Sequence, residues 1–273
     1  MQFFKYQGAG NDFIMVDQRR HRWLERTATD RISFLCDRHW GIGADGLILL
    51  QSSAGYDFEM IYFNADGRES TMCGNGGRCI AAFARHLGLE QPAYRFLAID
   101  GPHEALIPHT TGPDGVWVEL KMGDVRQVAA TLETGTERVA AYILDTGSPH
   151  FVRFVPQVEG LDMVAEGRAV RFADAFRETG INVNLVEETP GQLIIRTYER
   201  GVEDETLACG TGVTAAALAH FRHKALPAGS QEIPVLTRGG QLVVRFLAHP
   251  DGTFSDIWLC GPAQRVFSGE IEI

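Results

Sequence analysis

The sequence has no long run of Lys or Arg, and its 25 Lys and Arg stand against 35 Asp and Glu, for a formal net charge of −10. Surfaces that bind nucleic acids or anionic membranes need clustered basic residues, so the charge pattern argues against both kinds of partner. No apolar stretch approaches the roughly 20 residues that a membrane-spanning helix requires. We therefore expect the ligand to be a small molecule.

The sequence also lacks the cysteine patterns of disulfide frameworks, CxxC redox sites and zinc sites. Its five cysteines are an odd number, Cys73 and Cys79 do not have structural zinc spacing, and Cys209 has no second ligand near it in sequence. Residues 1–5 show no basic segment that leads into an apolar one, as a signal peptide would. We expect reduced thiols, no metal and a cytoplasmic location.

Two short segments of the chain are versions of each other. Residues 72–79 read MCGNGGRC and residues 208–212 read ACGTG, and each leads into a helix-like run of small apolar residues. The interval between Cys73 and Cys209 is half of the chain, and the match extends upstream to two polar pairs: Glu69 with Glu205, and Asn64 with Arg200. Internal repetition on this scale predicts two similar lobes.

The repeated segment indicates a specific chemistry. Glycines let a helix start approach other groups closely, and its first N–H groups carry partial positive charge. A cysteine at that place has its thiolate favoured. Two such helix starts facing one cavity would bind a carboxylate and place one sulfur on each side of it, an arrangement that suits moving a proton between the two faces of a carbon.

Short β-rich segments dominate the chain, with one long helix in each half. This pattern predicts an α+β fold of two pseudo-symmetric sheet-rich lobes, each wrapped around a central helix, with the active site in the cleft between them. The glycine-rich residues 110–115 are predicted to be the linker. The N-terminal lobe would then comprise residues 1–114 and the C-terminal lobe residues 115–261.

Several local predictions bear on the fold and the site. Residues 173–179 are predicted to form a short helix that ends at Gly180, and residues 145–150 are predicted to form a loop. The final strand is predicted over residues 265–273. His150 would then be either an ordinary loop histidine or a titrating group near a thiol.

Residues 41–46 match the GxGxxG pattern of dinucleotide-binding proteins literally. That fingerprint needs a strand before it and a helix after it. Here a predicted helix precedes it and a predicted strand, residues 47–50, follows. The context therefore argues against nucleotide binding.

Asn11 and the three cysteines without a counterpart in the repeat each have an ordinary structural explanation. Asn11 follows glycines in a tight turn, where asparagine is common. Cys36, Cys79 and Cys260 fit small buried core residues. A Cys–His hydrolase would need only one thiol and would leave the duplicated segment unexplained.

Six segments in order resemble the diaminopimelate epimerase family: KYQGAGNDF at 5–13, FNADG at 63–67, CGNG at 73–76, GSPH at 147–150, ERG at 199–201 and ACGTG at 208–212. The resemblance implies a pyridoxal-independent isomerase without a cofactor, which interconverts LL- and meso-diaminopimelate on the bacterial route to lysine and peptidoglycan. It also implies a homodimer, and a C-terminal segment of about 262–273 that completes the first lobe.

The resemblance further implies a role for each site residue. Cys73 and Cys209 would remove and return the α-proton, and their environment would be tuned by His150 and Glu199. The substrate would be bound by a larger polar set: the helix-start residues Gly74, Asn75, Gly210 and Thr211, then Asn11 near the reacting amine, and Asn64, Ser148, Asn182, Glu199 and Arg200 toward the distal end. Arg200 suits a bidentate grip on a carboxylate, and Glu199 suits an ammonium group.

Two positions depart from the family pattern, and two other functions stay open. Ser148 stands where many members have asparagine, and Gly46 stands where some have glutamine, so distal recognition differs in detail. A proline or hydroxyproline racemase would use the same two-thiol chemistry but would have no use for the Arg200 side chain. A non-catalytic amino-acid-binding redox sensor would instead oxidise its two cysteines reversibly.

Overall fold

The computed structural model describes residues 1–130 and 141–272, and these ranges contain four helices and seventeen strands. The helices are α1 (Thr29–Cys36), α2 (Gly74–His86), α3 (Met163–Arg171) and α4 (Gly210–His223). The strands are β1 (Gln2–Gly8), β2 (Asn11–Asp17), β3 (Gly46–Gln51), β4 (Phe58–Asn64), β5 (Glu69–Ser70), β6 (Ala93–Ala98), β7 (Gly101–Gly112), β8 (Gly115–Lys121), β9 (Val128–Ala130), β10 (Ala141–Asp145), β11 (Pro149–Phe154), β12 (Asn182–Thr189), β13 (Gln192–Glu199), β14 (Asp204–Thr206), β15 (Gly229–Thr237), β16 (Gly240–Ala248) and β17 (Phe254–Glu270). The predicted α+β class is confirmed.

The chain divides into two compact units. Unit 1 comprises Met1–Leu120 and Gly261–Ile273, and unit 2 comprises Lys121–Cys260. β17 contributes to both, because its first part pairs with β16 in unit 2 and its later part pairs with β8 and β1 in unit 1.

Unit 1 is a closed barrel of strands around one helix. Its strands pair in the order β1, β2, β3, β4, β6, β7, β8, and the later part of β17 closes the ring between β8 and β1. Helix α2 packs against β1, β2, β3 and β7, and its residues are buried from Gly74 to Ala84. Phe83 packs against Phe4 and Tyr6, with ring centroids 5.2 and 5.7 Å away. Burial on all sides explains the small, uncharged residues that dominate this helix.

Unit 2 surrounds α4 in the same way. Its strands pair in the order β9, β10, β11, β12, β13, β15, β16 and the first part of β17. The alanines from Ala215 to Ala217 are fully buried, so the strands approach the helix closely. Phe221 near its end packs edge-on against Phe246 and Phe254.

The two units share one pairing scheme. In unit 1, β2 is parallel to β3 and β4 is parallel to β6, while the other pairs are antiparallel. In unit 2, β11 is parallel to β12 and β13 is parallel to β15, again among antiparallel pairs. The repeat that the sequence shows around its two cysteines is therefore a repeat of the whole strand and helix order.

Four local predictions are wrong. Residues 110–115, predicted as a linker, form the end of β7, the turn at 113–114 and the start of β8, and Gly112 pairs with Gly115 in this hairpin. Residues 173–179 form turns, and the helix of this region is α3, which begins after Asp162; the Asp162 carboxylate accepts from the N–H of Ala165 at 3.0 Å. The sequence reading missed α3 because Gly167 interrupts its apolar pattern, although a glycine is needed there: a Cβ would lie 2.3 Å from the Tyr198 side chain.

The third and fourth corrections concern His150 and the end of the chain. β11 begins at Pro149, so His150 lies in a buried strand rather than in the predicted loop. The final strand, predicted over 265–273, is the later part of a longer strand, β17, which begins at Phe254 and ends at Glu270; Ile273 lies outside the described residues. Helix α1 precedes residues 41–46 and β3 begins at Gly46, which confirms the context that argued against a dinucleotide site.

Across the described ranges, even the longest helix, α4, has 14 residues, and none has the length and apolar character that crossing a bilayer requires.

Candidate functional site

Each of the two repeated cysteines is the N-cap residue of a buried helix. Cys73 precedes α2 and Cys209 precedes α4, and both have extended backbone conformations. Their carbonyl groups accept the first helical hydrogen bonds, from Gly77 at 2.7 Å and from Val213 at 2.9 Å. Each sulfur therefore lies at the positive end of a helix dipole, where a thiolate is favoured.

Glycines keep each helix start close to the strands behind it. A Cβ on Gly76 would lie 3.1 Å from Ile48, and a Cβ on Gly212 would lie 2.5 Å from the Asn184 side-chain oxygen. The glycines of the repeated motif therefore have a packing reason in both units.

In unit 1, Asn11 faces the Cys73 thiol. Its Oδ1 lies 3.8 Å from Cys73 Sγ and 3.4 Å from Asn75 Nδ2, and its Nδ2 donates to the Asp45 carboxylate. The carboxylate fixes the direction of the Asn11 amide, because Nδ2 can only donate and a carboxylate can only accept. The Asn11 oxygen is thus held toward the helix start.

Arg78 supports this group from inside the helix, and sequence reasoning missed it. Its side chain is fully buried and donates to Asn75 Oδ1 at 2.9 Å and to the Gly74 carbonyl at 3.4 Å. These bonds leave Asn75 Nδ2 directed at Asn11. The signal in the sequence is an arginine inside an otherwise apolar helix, because a buried guanidinium requires several acceptors.

In unit 2, a chain of hydrogen bonds leads from His150 to the Cys209 thiol. His150 Nε2 lies 2.9 Å from Thr211 Oγ1, which lies 3.4 Å from Cys209 Sγ. Burial, together with the nearby positive charge of Arg200, lowers the pKa of His150 to about 3. The imidazole is therefore neutral at physiological pH.

A second polar cluster of unit 2 joins Ser148, Asn182 and Arg200. Asn182 Nδ2 donates to Ser148 Oγ at 2.8 Å, and Asn182 Oδ1 accepts from the backbone N–H of Arg200 at 2.9 Å. The Arg200 guanidinium reaches Ser148 Oγ at 3.5 Å and is exposed. Gly180 makes room for it, since a Cβ there would lie 2.4 Å from Arg200 Cδ.

The remaining predicted residues lie at strand ends. Glu199 ends β13, is partly buried and accepts from the Thr206 hydroxyl at 3.0 Å. Asn64 ends β4, is exposed and pairs across the sheet with Gly46. A Cβ on Gly46 would lie 2.5 Å from the Phe63 carbonyl oxygen and 2.6 Å from the Tyr62 ring. The glutamine found in some family members has no room at this position.

A family model matches most of the chain. The profile of a family described as diaminopimelate epimerase matches residues 3–128 and 142–266. A protein of Flavobacterium psychrophilum named diaminopimelate epimerase is 44% identical over 273 residues, which are 99% of this chain and 100% of that protein.

Solved structures with much lower identity show the same fold. A PhzF-family phenazine biosynthesis protein of Bacillus anthracis has a TM-score of 0.79 at 15% identity, over 100% of this chain and 99% of that one. A probable proline racemase of Agrobacterium radiobacter, with bound carbonate, has a TM-score of 0.70 at 14% identity, over 100% of this chain and 93% of that one.

Proposed function

Because this chain belongs to the diaminopimelate epimerase family, we propose that Cys73 and Cys209 are the acid and base with which it converts LL-2,6-diaminopimelate to meso-diaminopimelate. The family catalyses this epimerisation in lysine biosynthesis, so the chain is an isomerase. The observation that carries the proposal for the two residues is that each cysteine caps a buried helix in an equivalent place of its own unit.

The reaction moves one proton and needs no net change in charge. One cysteine, as thiolate, takes the α-proton, and the electron pair of the C–H bond passes to the α-carbon and its carboxylate. The other cysteine, as thiol, then gives a proton to the opposite face. The thiolate and thiol have exchanged places at the end, so the reverse reaction uses the same two groups.

The helix starts supply the stabilisation that the carbanion-like transition state requires. We propose that the α-carboxylate accepts hydrogen bonds from the backbone N–H groups of Gly74, Asn75, Gly210 and Thr211. Preorganised donors of this kind contribute about 3 to 4 kcal/mol each when they face developing charge. Asn11, whose oxygen is held toward Cys73, would accept from the α-ammonium group.

The cluster of Ser148, Asn182 and Arg200 would hold the distal end of the substrate. The exposed Arg200 guanidinium would pair with the distal carboxylate, with Ser148 and Asn182 beside it. Glu199 would accept from the distal ammonium group, and Asn64 is a further candidate for binding this end of the substrate. Proline and hydroxyproline have no second amino acid end, so this cluster favours diaminopimelate over the racemase alternative.

Proton NMR of LL-diaminopimelate in deuterium oxide, with the reduced protein, tests the function. We expect deuterium to replace the α-proton while the sample approaches a mixture of LL and meso isomers. Free L-proline in the same buffer is the control and should keep its α-proton. Exchange of proline without exchange of diaminopimelate would identify a racemase of the other type, and reversible thiol oxidation with no exchange of either would identify a sensor.

Arg200→Gln is expected to raise KM for LL-diaminopimelate by about 10- to 100-fold, because hydrogen bonds to charged groups contribute roughly 1.5 to 3 kcal/mol. The effect on kcat should be smaller, since the distal carboxylate keeps its charge throughout the reaction. Arg177→Gln is the matched control: this arginine is exposed, lies in the same unit and pairs with Asp174. Equal KM values for both variants would remove Arg200 from the substrate site.

We further propose that the chain is a cytoplasmic homodimer. The support is the family pattern, together with exposed apolar side chains on the late part of β17, at Val266 and Phe267. Sedimentation equilibrium of the full chain would give twice the mass of 30.1 kDa. A single species of monomer mass would contradict the proposal.

A further inference from the structure

The two helix starts are equivalent in topology but differ in what lies behind them. In unit 1, Phe13 pairs with Gly46 between the parallel strands β2 and β3, and in unit 2, His150 pairs with Asn182 between β11 and β12. His150 is therefore the counterpart of Phe13, and by the same register Asn184 is the counterpart of Ile48. All four side chains are fully buried.

The glycines of the two motifs confirm this correspondence. A Cβ on Gly76 would meet Ile48 and Phe13, whereas a Cβ on Gly212 would meet Asn184 and His150. An apolar pair thus supports the helix that begins at Cys73, and a polar pair supports the helix that begins at Cys209. A buried polar pair costs free energy unless it is fully hydrogen-bonded, so its bonds are informative.

The bonds of Asn184 fix the direction of its amide. Its Nδ2 lies 2.9 Å from the Phe151 carbonyl oxygen, which can only accept, and its Oδ1 lies 3.0 Å from the Thr197 hydroxyl. The second hydrogen of Nδ2 points at His150 Nδ1, at 3.1 Å. An amide nitrogen only donates, so His150 Nδ1 must accept.

The His150 ring then carries its proton on the other nitrogen. A neutral imidazole has one N–H group, and with Nδ1 as acceptor that group is Nε2–H. Burial keeps the ring neutral, and Arg200, the charged side chain that acts on it, also disfavours the imidazolium form. His150 Nε2 therefore donates to Thr211 Oγ1 at 2.9 Å.

The Thr211 hydroxyl links His150 to the Cys209 sulfur. Its oxygen accepts from His150, and its own hydrogen can point at Cys209 Sγ, at 3.4 Å. A donor favours the charged form of the group that accepts from it. The bond therefore favours the thiolate of Cys209.

The Cys73 sulfur contacts a group of the opposite polarity. Cys73 Sγ lies 3.8 Å from Asn11 Oδ1, an oxygen that only accepts, and the Asp45 carboxylate holds that amide in place. In this contact the sulfur must be the donor, so the thiol form of Cys73 is favoured.

We propose that Asn184 is a positioning residue that sets the tautomer of His150, so that Thr211 donates to Cys209 and the resting protein holds Cys209 as thiolate and Cys73 as thiol. This inference deepens the proposed two-thiol function and rests on it. It assigns the resting base to unit 2 and the resting acid to unit 1.

Nitrogen-15 NMR of the histidine-labelled protein tests the tautomer directly and needs no variant. Long-range proton–nitrogen correlations of His150 should show a protonated Nε2 and an unprotonated Nδ1. In Asn184→Leu, both tautomers should be populated, because no donor then faces Nδ1. A protonated Nδ1 in the natural protein would overturn the proposal.

The charge of the sulfurs is measured by alkylation with iodoacetamide across pH, with peptide mapping to separate Cys209 from Cys73. Cys209 should reach half of its maximal rate at a lower pH than Cys73. Asn184→Leu should slow alkylation of Cys209 by roughly tenfold at neutral pH, since a hydrogen bond to a charged group is lost. Cys73 in the same sample is the internal reference and should not change.

Thr197→Val is the matched control, because it removes a buried bond of Asn184 but leaves both Nδ2 donors in place. It should leave the alkylation profile of Cys209 unchanged. An equal shift in Thr197→Val and Asn184→Leu would mean that packing, and not the tautomer, sets the reactivity of Cys209, and would overturn the proposal.

A second pair of variants covers the case in which Asn184→Leu does not fold. Thr211→Val should slow alkylation of Cys209 and Thr211→Ser should restore it, because serine keeps the hydroxyl. Equal alkylation profiles of Cys209 in these two variants would overturn the proposed hydrogen-bond chain from His150 through Thr211 to Cys209. None of these measurements uses turnover, so an inactive chain with the expected tautomer would refute only the proposed function, and an active epimerase with the other tautomer would refute only this inference.

Discussion

Cys73→Ala and Cys209→Ala are each expected to lower kcat for LL-diaminopimelate by about 10³-fold or more. Loss of one acid or base group typically removes a factor of about 10² to 10⁴, and alanine can neither take nor return the α-proton. Both α-deuterium incorporation and the approach to the LL and meso mixture should be lost, as followed by proton NMR in deuterium oxide. Equal losses are expected because the two groups act as one pair.

Cys79→Ala is the matched control for these variants. Cys79 lies in the same helix as the Cys73 cap, but it is fully buried, and burial raises the pKa of its thiol to about 12. It should keep activity within a few-fold of the natural protein. Activity in either N-cap variant close to that of Cys79→Ala would show that the two sulfurs are not the acid and base.

Arg196→Met is expected to lower the free energy of unfolding by about 3 kcal/mol, near the lower end of the usual effect of breaking a buried ion pair, because Glu205 keeps its bond to Arg238. Arg196 makes two bonds of 2.7 Å to the Glu205 carboxylate, and its guanidinium also donates to three backbone carbonyls between residues 158 and 161. Urea unfolding at pH 7, followed by fluorescence or circular dichroism, would measure the change.

Arg238→Met is the control for the ion pair, since Arg238 also bonds Glu205, at 2.9 Å, but its side chain is 38% exposed. An exposed pair contributes about 0 to 1 kcal/mol, so the change should be small. Equal effects of the two substitutions would show that burial of Arg196 is not what makes the pair strong.

The effect of Arg196→Met should also depend on pH. The Arg196 hydrogen bonds hold the pKa of Glu205 below its usual range, so the pair contributes its full stability above the unfolded value of about 4.3. That contribution is lost as the pH falls through the lower folded value. The difference in unfolding free energy between the natural protein and Arg196→Met should therefore shrink in acid, and a difference that stays constant down to pH 2 would contradict this assignment.

Features that depend on neighbours in sequence were predictable. The cysteines cap helices because glycines and a small apolar run follow each of them, and a hairpin such as β12–β13 is evident from its turn at Gly191. The position of His150 was not predictable in this way, because the GSPH segment has the composition of a loop and becomes a strand only by pairing with β10 and β12.

The buried polar residues were the hardest to interpret from sequence. Arg78, Asn184 and Arg196 each lie in an element that otherwise reads as apolar, and the sequence gives no partner for any of them. Their partners come from other strands or from the next helical turn, so their roles depend on strand register. The sequence reading consequently found the two sulfurs but missed the groups that orient Asn75 and His150.

By itself the sequence determined the α+β class, the duplication, the family and the two helix-capping cysteines, because repeats and glycine-rich helix starts are local patterns. Only the tertiary structure decided that the two copies differ, with Phe13 and Ile48 behind one cysteine and His150 and Asn184 behind the other. The reason is physical: a hydrogen bond depends on which atoms face each other across paired strands, and a shift of register by one residue would turn each of these side chains to the other face of its strand.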